Sequence, residues 1–274
     1  MTPPTPSVSI LIVSDYAAGG PEGWKDIRKA LTALAGQEFA EPVEYILCES
    51  DRFRDDVPSD LTAILPSLRL HFVPDLASYA IKNHGVSVAS AEFVAVLDAD
   101  CIPDAMWLRR LVSVLRAEPK AAVVSGRTIY PGGSLSERVC ALLGRSYLDP
   151  GRAGETRFIA INNCAFRRVA YLESPLPSGL GTFSSHMQCE ALKRAGWRLL
   201  FDPEIRVVHD FEGWSMEADF RRNCGHGTIR TRLEDPTLPH AWLARLGRPA
   251  ILPILAGKLL DSWRDCIRCG RQYG

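Results

Sequence analysis

Two aspartates directly follow an apolar stretch of the chain and form an Asp-x-Asp pattern. Residues 93–97 read Phe-Val-Ala-Val-Leu, which is typical of a buried strand, and Asp98, Ala99 and Asp100 come next. In an extended segment, residues two apart point to the same side, so the two carboxylates can converge on one ligand. Paired carboxylate oxygens suit a hard divalent cation. The alternative is a strand end that turns into solvent, where Asp is also common.

Polar residues also follow two earlier apolar segments. Residues 8–13 are apolar and β-branched and precede Ser14 and Asp15, and residues 43–48 precede Glu49. In an open α/β sheet, ligands bind outside the carboxyl ends of the strands. We therefore expect these side chains and the Asp-x-Asp pair to lie along one edge.

The apolar spacing along the first half of the chain alternates between strand and helix periods. We predict strands over residues 8–13, 43–48, 68–73, 93–97 and 121–125, and helices over residues 24–35, 78–90 and 103–117. Repeated strand, helix, strand order predicts an α/β fold with a doubly wound, mostly parallel sheet.

The pattern loosens beyond Gly126, where loops dominate. We predict a strand over 158–166, a short helix over 186–195, and two short strands over 197–201 and 205–208, the last followed by His209. Within the first of these strands lie two amides that are either turn residues or hydroxyl-binding groups, namely Asn162 and Asn163.

The composition limits which classes of binding partner and which cellular compartment we expect. The 274 residues are 46% hydrophobic and contain 32 basic and 32 acidic side chains, so no global charge favours nucleic acid. Residues 1–7 lack the pattern of a signal peptide and are expected to be disordered. Eight irregularly spaced cysteines fit reduced thiols in a cytoplasmic protein. One alternative is a zinc site that joins Cys266 and Cys269 to Cys224 and His226.

The C-terminal segment, residues 236–274, is expected to be a helical extension of a domain that spans residues 8–235. Its apolar stretch over 249–263 is interrupted and is too short to span a bilayer. Residues 241–274 contain six basic and two acidic side chains. Such a segment can rest on the inner face of an anionic membrane, or it can pack back on the domain.

The order of these motifs resembles that of the family-2 glycosyltransferases, which have the GT-A fold. The similarity covers about residues 7–212. Residues 8–13 and 44–50 resemble the family's first two strands, and residues 82–85, Lys-Asn-His-Gly, stand where the family has Arg-Asn-x-Gly. Further matches are the Asp-x-Asp at 98–100, and residues 162–168, 194–203 and 207–209.

The resemblance implies a transferase that moves a sugar from a nucleoside-diphosphate-sugar to a hydroxyl of a glycan, a lipid or a small molecule. Asp98, Asp100 and His209 would hold Mn²⁺ or Mg²⁺ against the diphosphate, and a nitrogen ligand favours Mn²⁺. The nucleotide-sugar contacts would be Ser14, Asp15, Glu49, Lys82, Asn83, Asp98 and Ala99, and the acceptor or sugar contacts would be Asn162 and Asn163.

The chain departs from the family at the general base. An acidic pair is expected about ten residues before Arg194, and Ser184 and Ser185 stand there instead. The nearest titratable groups are His186 and Glu190, one helical turn apart, which we predict as the catalytic pair. Two other interpretations are open: a binding module that has lost turnover, and a nucleotidyltransferase, although the chain has no Gly-x4-Gly-Lys-Ser/Thr phosphate loop.

Overall fold

A computed structural model describes residues 5–13, 22–74, 78–131, 133–209 and 213–273. The predicted contacts Ser14 and Asp15 lie outside the described residues, as do residues 1–4 of the N-terminal segment. None of the helices within these ranges is both long enough and apolar enough to cross a membrane.

Nine strands form one sheet in the described part of the chain. They are β1 (Val8–Val13), β2 (Val43–Ser50), β3 (Leu68–Val73), β4 (Phe93–Asp98), β5 (Cys101–Pro103), β6 (Ala121–Ile129), β7 (Gly154–Glu155), β8 (Asn163–Arg167) and β9 (Arg198–His209). Their order is β3-β2-β1-β4-β8-β6-β9-β5, and β7 pairs with β9. The longest pairings are parallel, whereas β8 runs antiparallel to both of its neighbours.

The helices are α1 (Trp24–Ala35), α2 (Leu61–Ile64), α3 (Ser78–Val88), α4 (Trp107–Ala117), α5 (Leu135–Arg145), α6 (Arg168–Glu173), α7 (Ser184–Arg194), α8 (Trp214–Glu234), α9 (Ala241–Arg245) and α10 (Ile251–Tyr273). Single 3-10 turns occupy residues Asp51–Asp56, Gly181–Phe183 and Arg248–Ala250. The predicted α/β architecture is confirmed.

The sheet is covered on both faces because its central strands are apolar on both faces. All six residues of β1 are buried. Ile10 and Ile12 belong to a core cluster that includes residues of α1 and α4, whereas Leu11 and Val13 belong to a second cluster with residues of α3 and α7. This alternation follows the two-residue period of a strand and explains the nearly continuous apolar run.

The second half of the chain is more regular than the sequence predicts. The two short strands predicted around Pro203 are one strand, β9, and a shift in the β6–β9 pairing accommodates residues 203–205. The predicted strand over 158–166 is shorter, since β8 begins at Asn163. α7 begins two residues early, at Ser184.

Two helices, α5 and α8, occupy segments for which the sequence predicted no regular structure. α5 begins with a capping box: the side chain of Ser134 accepts from the Glu137 backbone N–H, and the Glu137 side chain accepts from the Ser134 backbone N–H. A Ser-x-x-Glu pattern is a sequence signal for a helix start, although the sequence analysis predicts loops in this region. α8 has no dominant apolar face, so tertiary contacts, not apolar periodicity, determine its position.

Candidate active site

The Asp-x-Asp segment lies at the carboxyl edge of the parallel strands, as predicted. Val13 of β1 is in register with Asp98, and the backbone N–H of Ala99 donates to the Val13 carbonyl at 3.0 Å. The chain then turns through residues 99–100 and is not extended there. Because the turn separates the two carboxylates, they meet different partners.

Asp98 pairs with Lys82 of α3. The Lys82 Nζ lies 2.9 Å from Asp98 Oδ1, the lysine is fully buried and the aspartate side chain is about one-tenth exposed. A lysine in the core requires such a partner, since an isolated buried charge is strongly disfavoured. Lys82, which we predict to contact the nucleotide, is therefore bound directly to the first aspartate of the Asp-x-Asp motif.

Asp100 pairs with His209 instead. The short strand β5 runs antiparallel to the end of β9 and aligns Cys101 with His209. This pairing places His209 Nε2 3.6 Å from Asp100 Oδ2. The imidazole of His209 also lies against the ring of Tyr130, with 5.3 Å between ring centroids.

One group of potential metal ligands occurs among the described residues: the ligand atoms of Asp100, Cys101 and His209 lie within 4.8 Å of one another. Burial, with the nearby charges of Asp100 and Asp98, raises the pKa of the Cys101 thiol well above its ordinary value. Thiolates are soft ligands that suit other metals better than Mg²⁺ or Mn²⁺, so the candidate ligands for such a cation are the Asp100 carboxylate and the His209 imidazole. That donor pair fits Mn²⁺ and is less suited to Mg²⁺.

A cavity of about 320 Å³ contains both aspartates and His209. Its other walls come from the end of β6, from α5 and from the first half of α8. The polar side chains at its surface include Tyr130, Arg145, Asn162, Ser185, Glu217 and Asp219. The cavity therefore lies between the acidic edge of the sheet and the part of the chain beyond Gly126, for which mostly loops are predicted.

Asn162 lies in this cavity wall, but five other described residues that we predict as contacts do not line it: Asn163, Asn83, Glu49, Lys82 and Ala99. Asn163 is fully buried: its Oδ1 accepts from Trp107 Nε1 at 2.7 Å. Asn83 Oδ1 accepts from the Leu176 N–H at 3.0 Å, and Asn83 Nδ2 donates to the Leu176 carbonyl at 2.8 Å. Glu49 is buried at the end of β2, and its Oε1 accepts from the adjacent backbone N–H at 2.7 Å.

The residues of the predicted catalytic pair are not joined to each other by a hydrogen bond or an ion pair, and neither lines the cavity in the described part of the chain. His186 stacks on Phe183, with ring centroids 4.9 Å apart, and also contacts Tyr147 and Phe158. Burial lowers the pKa of His186 to about 4. Glu190 pairs with Lys193 at 2.7 Å. Ser185, in contrast, faces the cavity.

The alternative zinc group is not assembled in the described residues. Cys266 is exposed, whereas Cys269 is buried with its Sγ 3.6 Å from the Asp149 carbonyl oxygen. All eight cysteines are free thiols, as expected. In the described part of the chain, Cys224 and His226 do not form a metal-binding cluster with Cys266 and Cys269.

Tyr130, Arg145 and Glu217 are cavity residues that the sequence analysis did not identify. Tyr130 follows the end of β6, which extends four residues beyond its predicted end. Arg145 is the last residue of α5, and Glu217 lies in the first turn of α8. The capping box was the available signal for α5, whereas α8 offered none.

Three comparisons with known proteins agree. Residues 21–174, more than half of the chain, match the family model for glycosyl transferase family 2. The chain is 28% identical over 251 residues to glycosyltransferase AglE of Haloferax volcanii, covering 86% of this chain and 77% of the relative. It superimposes with a TM-score of 0.64 and 18% identity on the mannosyltransferase PcManGT from Pyrobaculum calidifontis, solved with GDP-Man and Mn²⁺, covering 96% of this chain and 76% of that one.

The fold, the acidic edge and the matched residues lead to the same assignment. The structural similarity shows the GT-A fold, and the family match covers the strands that present Asp98 and Asp100. The chain is a glycosyltransferase that belongs to glycosyl transferase family 2.

Proposed function

We propose that this glycosyltransferase moves a sugar from a nucleoside-diphosphate-sugar to an acceptor hydroxyl, with inversion, and that it requires Mn²⁺ or Mg²⁺. The observation that carries the proposal is the pairing of Asp100 with His209, in one cavity with Asp98, at the carboxyl edge of the sheet. PcManGT, a structural neighbour, was solved with GDP-Man and Mn²⁺. GDP-mannose with Mn²⁺ is therefore the first donor to assay.

Each residue has a distinct part in this proposal. Asp100 and His209 would hold the cation, which neutralises diphosphate charge as the glycosidic C–O bond breaks. Lys82 pairs with the Asp98 carboxylate and would hold it in place. Glu49, near the end of β2, and Ser14 and Asp15, which come after β1 in the sequence, remain our predicted nucleotide contacts, together with Asn83 and Ala99.

The test of this function is Asp100→Asn, which keeps the size of the side chain and removes its charge. We expect loss of sugar transfer and loss of the Mn²⁺-dependent part of nucleoside diphosphate binding in calorimetry. Asp60→Asn is the matched control, because Asp60 is an exposed carboxylate paired with Arg28. Transfer by Asp100→Asn at the wild-type rate would exclude the proposed metal site.

The general base is proposed separately, because Ser185 occupies the cavity wall where the family has an acid. Glu217 of α8 is a partly buried carboxylate in the same cavity, and its contacts to Arg221 both involve Oε1. A carboxylate that reaches the acceptor hydroxyl can remove its proton. Glu217 is therefore our candidate, alongside the pair predicted from sequence, His186 and Glu190.

Single substitutions separate these candidates. Glu217→Gln should lower kcat by about a hundredfold or more without weakening nucleotide binding, as expected for loss of a general base. His186→Ala and Glu190→Gln should retain most of the activity. A large loss of kcat in either of those two variants, with Glu217→Gln active, would restore the base predicted from sequence.

The second candidate function is a module that binds a sugar nucleotide or glycan without turnover. The serine at position 185 favours it, since a hydroxyl is not a competent base at neutral pH. Calorimetry with GDP-mannose and Mn²⁺, run beside a transfer and hydrolysis assay, distinguishes the two. Binding without any turnover across a panel of acceptors would favour the module.

We further propose that α10 contacts an anionic membrane surface. Its inner side is attached to the domain through Asp265 and Arg268, which both contact Ser146. The opposite side presents large apolar side chains that are at least half exposed, at Ile251, Leu252, Leu255, Leu259, Leu260, Trp263 and Ile267. Residues 241–274 contain more basic than acidic side chains, and this positive charge is complementary to the negative charge of anionic lipid headgroups.

A further inference from the structure

A guanidinium group lies in the wall of the cavity beside the acidic edge. Arg145, at the end of α5, donates from Nε and Nη2 to the Tyr130 hydroxyl at 3.0 and 2.7 Å. Its third contact, from Nη1 to Asn162 Oδ1, is long at 3.5 Å. These two partners fix the orientation of the side chain but do not neutralise its charge.

Arg145 has no carboxylate partner among the described residues. Arg127, another arginine that is mostly buried, is paired with Asp149 at 2.7 Å. An arginine cannot lose its proton in a protein, and it has five N–H donors, of which Tyr130 occupies two. Arg145 therefore brings a positive charge and further donors to the cavity.

Two chains of contacts connect this charge to the candidate metal ligands. On one side, Tyr130 packs against His209, which is 3.6 Å from Asp100. On the other side, Asn162 Nδ2 donates to Cys101 Sγ, next to Asp100, at 3.4 Å. The guanidinium thus belongs to the same cavity as the two aspartates, and Tyr130 and Asn162 connect it to the candidate ligands.

We propose that Arg145, oriented by Tyr130, is a phosphate-binding residue of this cavity. The inference rests on the proposed sugar transfer, and it adds a second phosphate contact beside the cation. A planar fork of N–H donors matches two oxygens of one phosphate group, which favours arginine over lysine at such a position. The phosphate belongs either to the donor diphosphate or to a phosphate-bearing acceptor.

Arg145→Gln tests the proposal, with Arg145→Lys as the charge-conserving variant. Arg116→Gln is the matched control, because Arg116 is exposed on α4 and pairs with Glu41. Calorimetry would measure GDP and guanosine binding, each with Mn²⁺, and then inorganic phosphate binding to protein saturated with GDP and Mn²⁺. Thermal unfolding would show that each variant is folded.

If the donor supplies the phosphate, Arg145→Gln should weaken GDP binding by about tenfold to a hundredfold and leave guanosine binding unchanged, as for loss of a charged hydrogen bond. Arg145→Lys should recover part of this loss. If the acceptor supplies it, GDP binding should be unchanged and inorganic phosphate should no longer bind to the GDP-loaded variant. Wild-type behaviour of Arg145→Gln in both titrations would overturn the proposal.

Tyr130→Phe provides a second measurement if Arg145→Gln does not fold. Loss of the hydroxyl removes the acceptor that orients the guanidinium but keeps its charge, so we expect a smaller loss in the same titration. Failure of the proposed reaction is distinguishable, because Asp100→Asn affects the Mn²⁺-dependent step. If no donor supports transfer but Arg145 is still required for phosphate binding, the phosphate site stands and the reaction does not.

Discussion

The ion pair of Lys82 and Asp98 joins the helix α3 to the carboxyl edge of the sheet. Both side chains are withdrawn from water and lie 2.9 Å apart. The family's arginine at this position would have to place a larger, planar cation in the same buried space. The lysine that departs from the family motif is therefore a compact partner for the first aspartate.

Lys82→Met should destabilise the fold by about 3 kcal/mol, because it leaves the Asp98 carboxylate buried without this cation. The double variant Lys82→Met/Asp98→Asn should lose less stability than the sum of the single variants. Urea unfolding of the four proteins measures this coupling. Additive losses would mean that the pair contributes no specific stabilisation.

His186 predicts a pH dependence of stability. Burial lowers its folded pKa to about 4 from an ordinary value of 6.5, so between these values the unfolded chain binds a proton that the folded chain does not. Its contribution is fully present above pH 6.5 and is lost as pH falls toward 4. His186→Phe, which preserves the aromatic stack with Phe183, should lose about 2 kcal/mol less stability than wild type between pH 7 and pH 5. Urea unfolding at both pH values checks this, and parallel losses would contradict it.

At the scale of elements, the approach of α3 to β1 explains the glycine of the Lys-Asn-His-Gly motif. A Cβ atom added at Gly85 would lie 2.2 Å from Cδ1 of Leu11, which is fully buried in β1. Any larger residue must therefore displace the Leu11 side chain or push the helix away from the sheet. Since Lys82 is one turn earlier on the same helix, this contact also positions the lysine at Asp98.

Gly85→Ala should destabilise the protein by about 2 kcal/mol through overpacking and should weaken nucleotide binding. Leu11→Ala removes the clashing methyl groups, so Gly85→Ala/Leu11→Ala should be more stable than the two single losses predict. Thermal unfolding and calorimetry measure both effects. A double variant with simply additive losses would show that the two side-chain positions do not compete for this space.

At the scale of the whole molecule, the exposed apolar side of α10 is a surface that the rest of the described chain leaves uncovered. Leu255 and Leu259, about one turn apart, are 52% and 62% exposed. Their burial in an interface between lipid headgroups and acyl chains would account for an apolar helix face directed away from its own core.

Leu255→Ser/Leu259→Ser should reduce co-sedimentation with vesicles of phosphatidylglycerol and phosphatidylcholine several-fold, while activity on a water-soluble acceptor is retained. Leu172→Ser, on an exposed position of α6, is the control. High salt should weaken binding, since the basic side chains contribute to it. If wild-type protein does not sediment with these vesicles and instead dimerises, a second copy covers this face.

Local sequence patterns are sufficient to predict the parallel half of the sheet and the position of the Asp-x-Asp motif at its edge. These features depend on local pattern. A buried strand is a continuous apolar run, and the polar residues that end the run lie at the edge of the sheet, where the chain must turn. The family resemblance extended the prediction to His209 and to sugar transfer. The structure confirms the α/β fold, and the family match confirms the glycosyltransferase assignment.

The partner that each site residue contacts depends on tertiary packing and is visible only in the folded chain. The β5–β9 pairing brings His209 to Asp100 across more than a hundred residues of sequence, and α3 delivers Lys82 to Asp98. Arg145 and Glu217 line the cavity from helices that the sequence does not predict. Glu217 lies on α8, which has no dominant apolar face, and Arg145 lies on α5, whose sequence signal is the capping box. Such contacts depend on packing between distant segments, and local residue spacing contains no information about that packing.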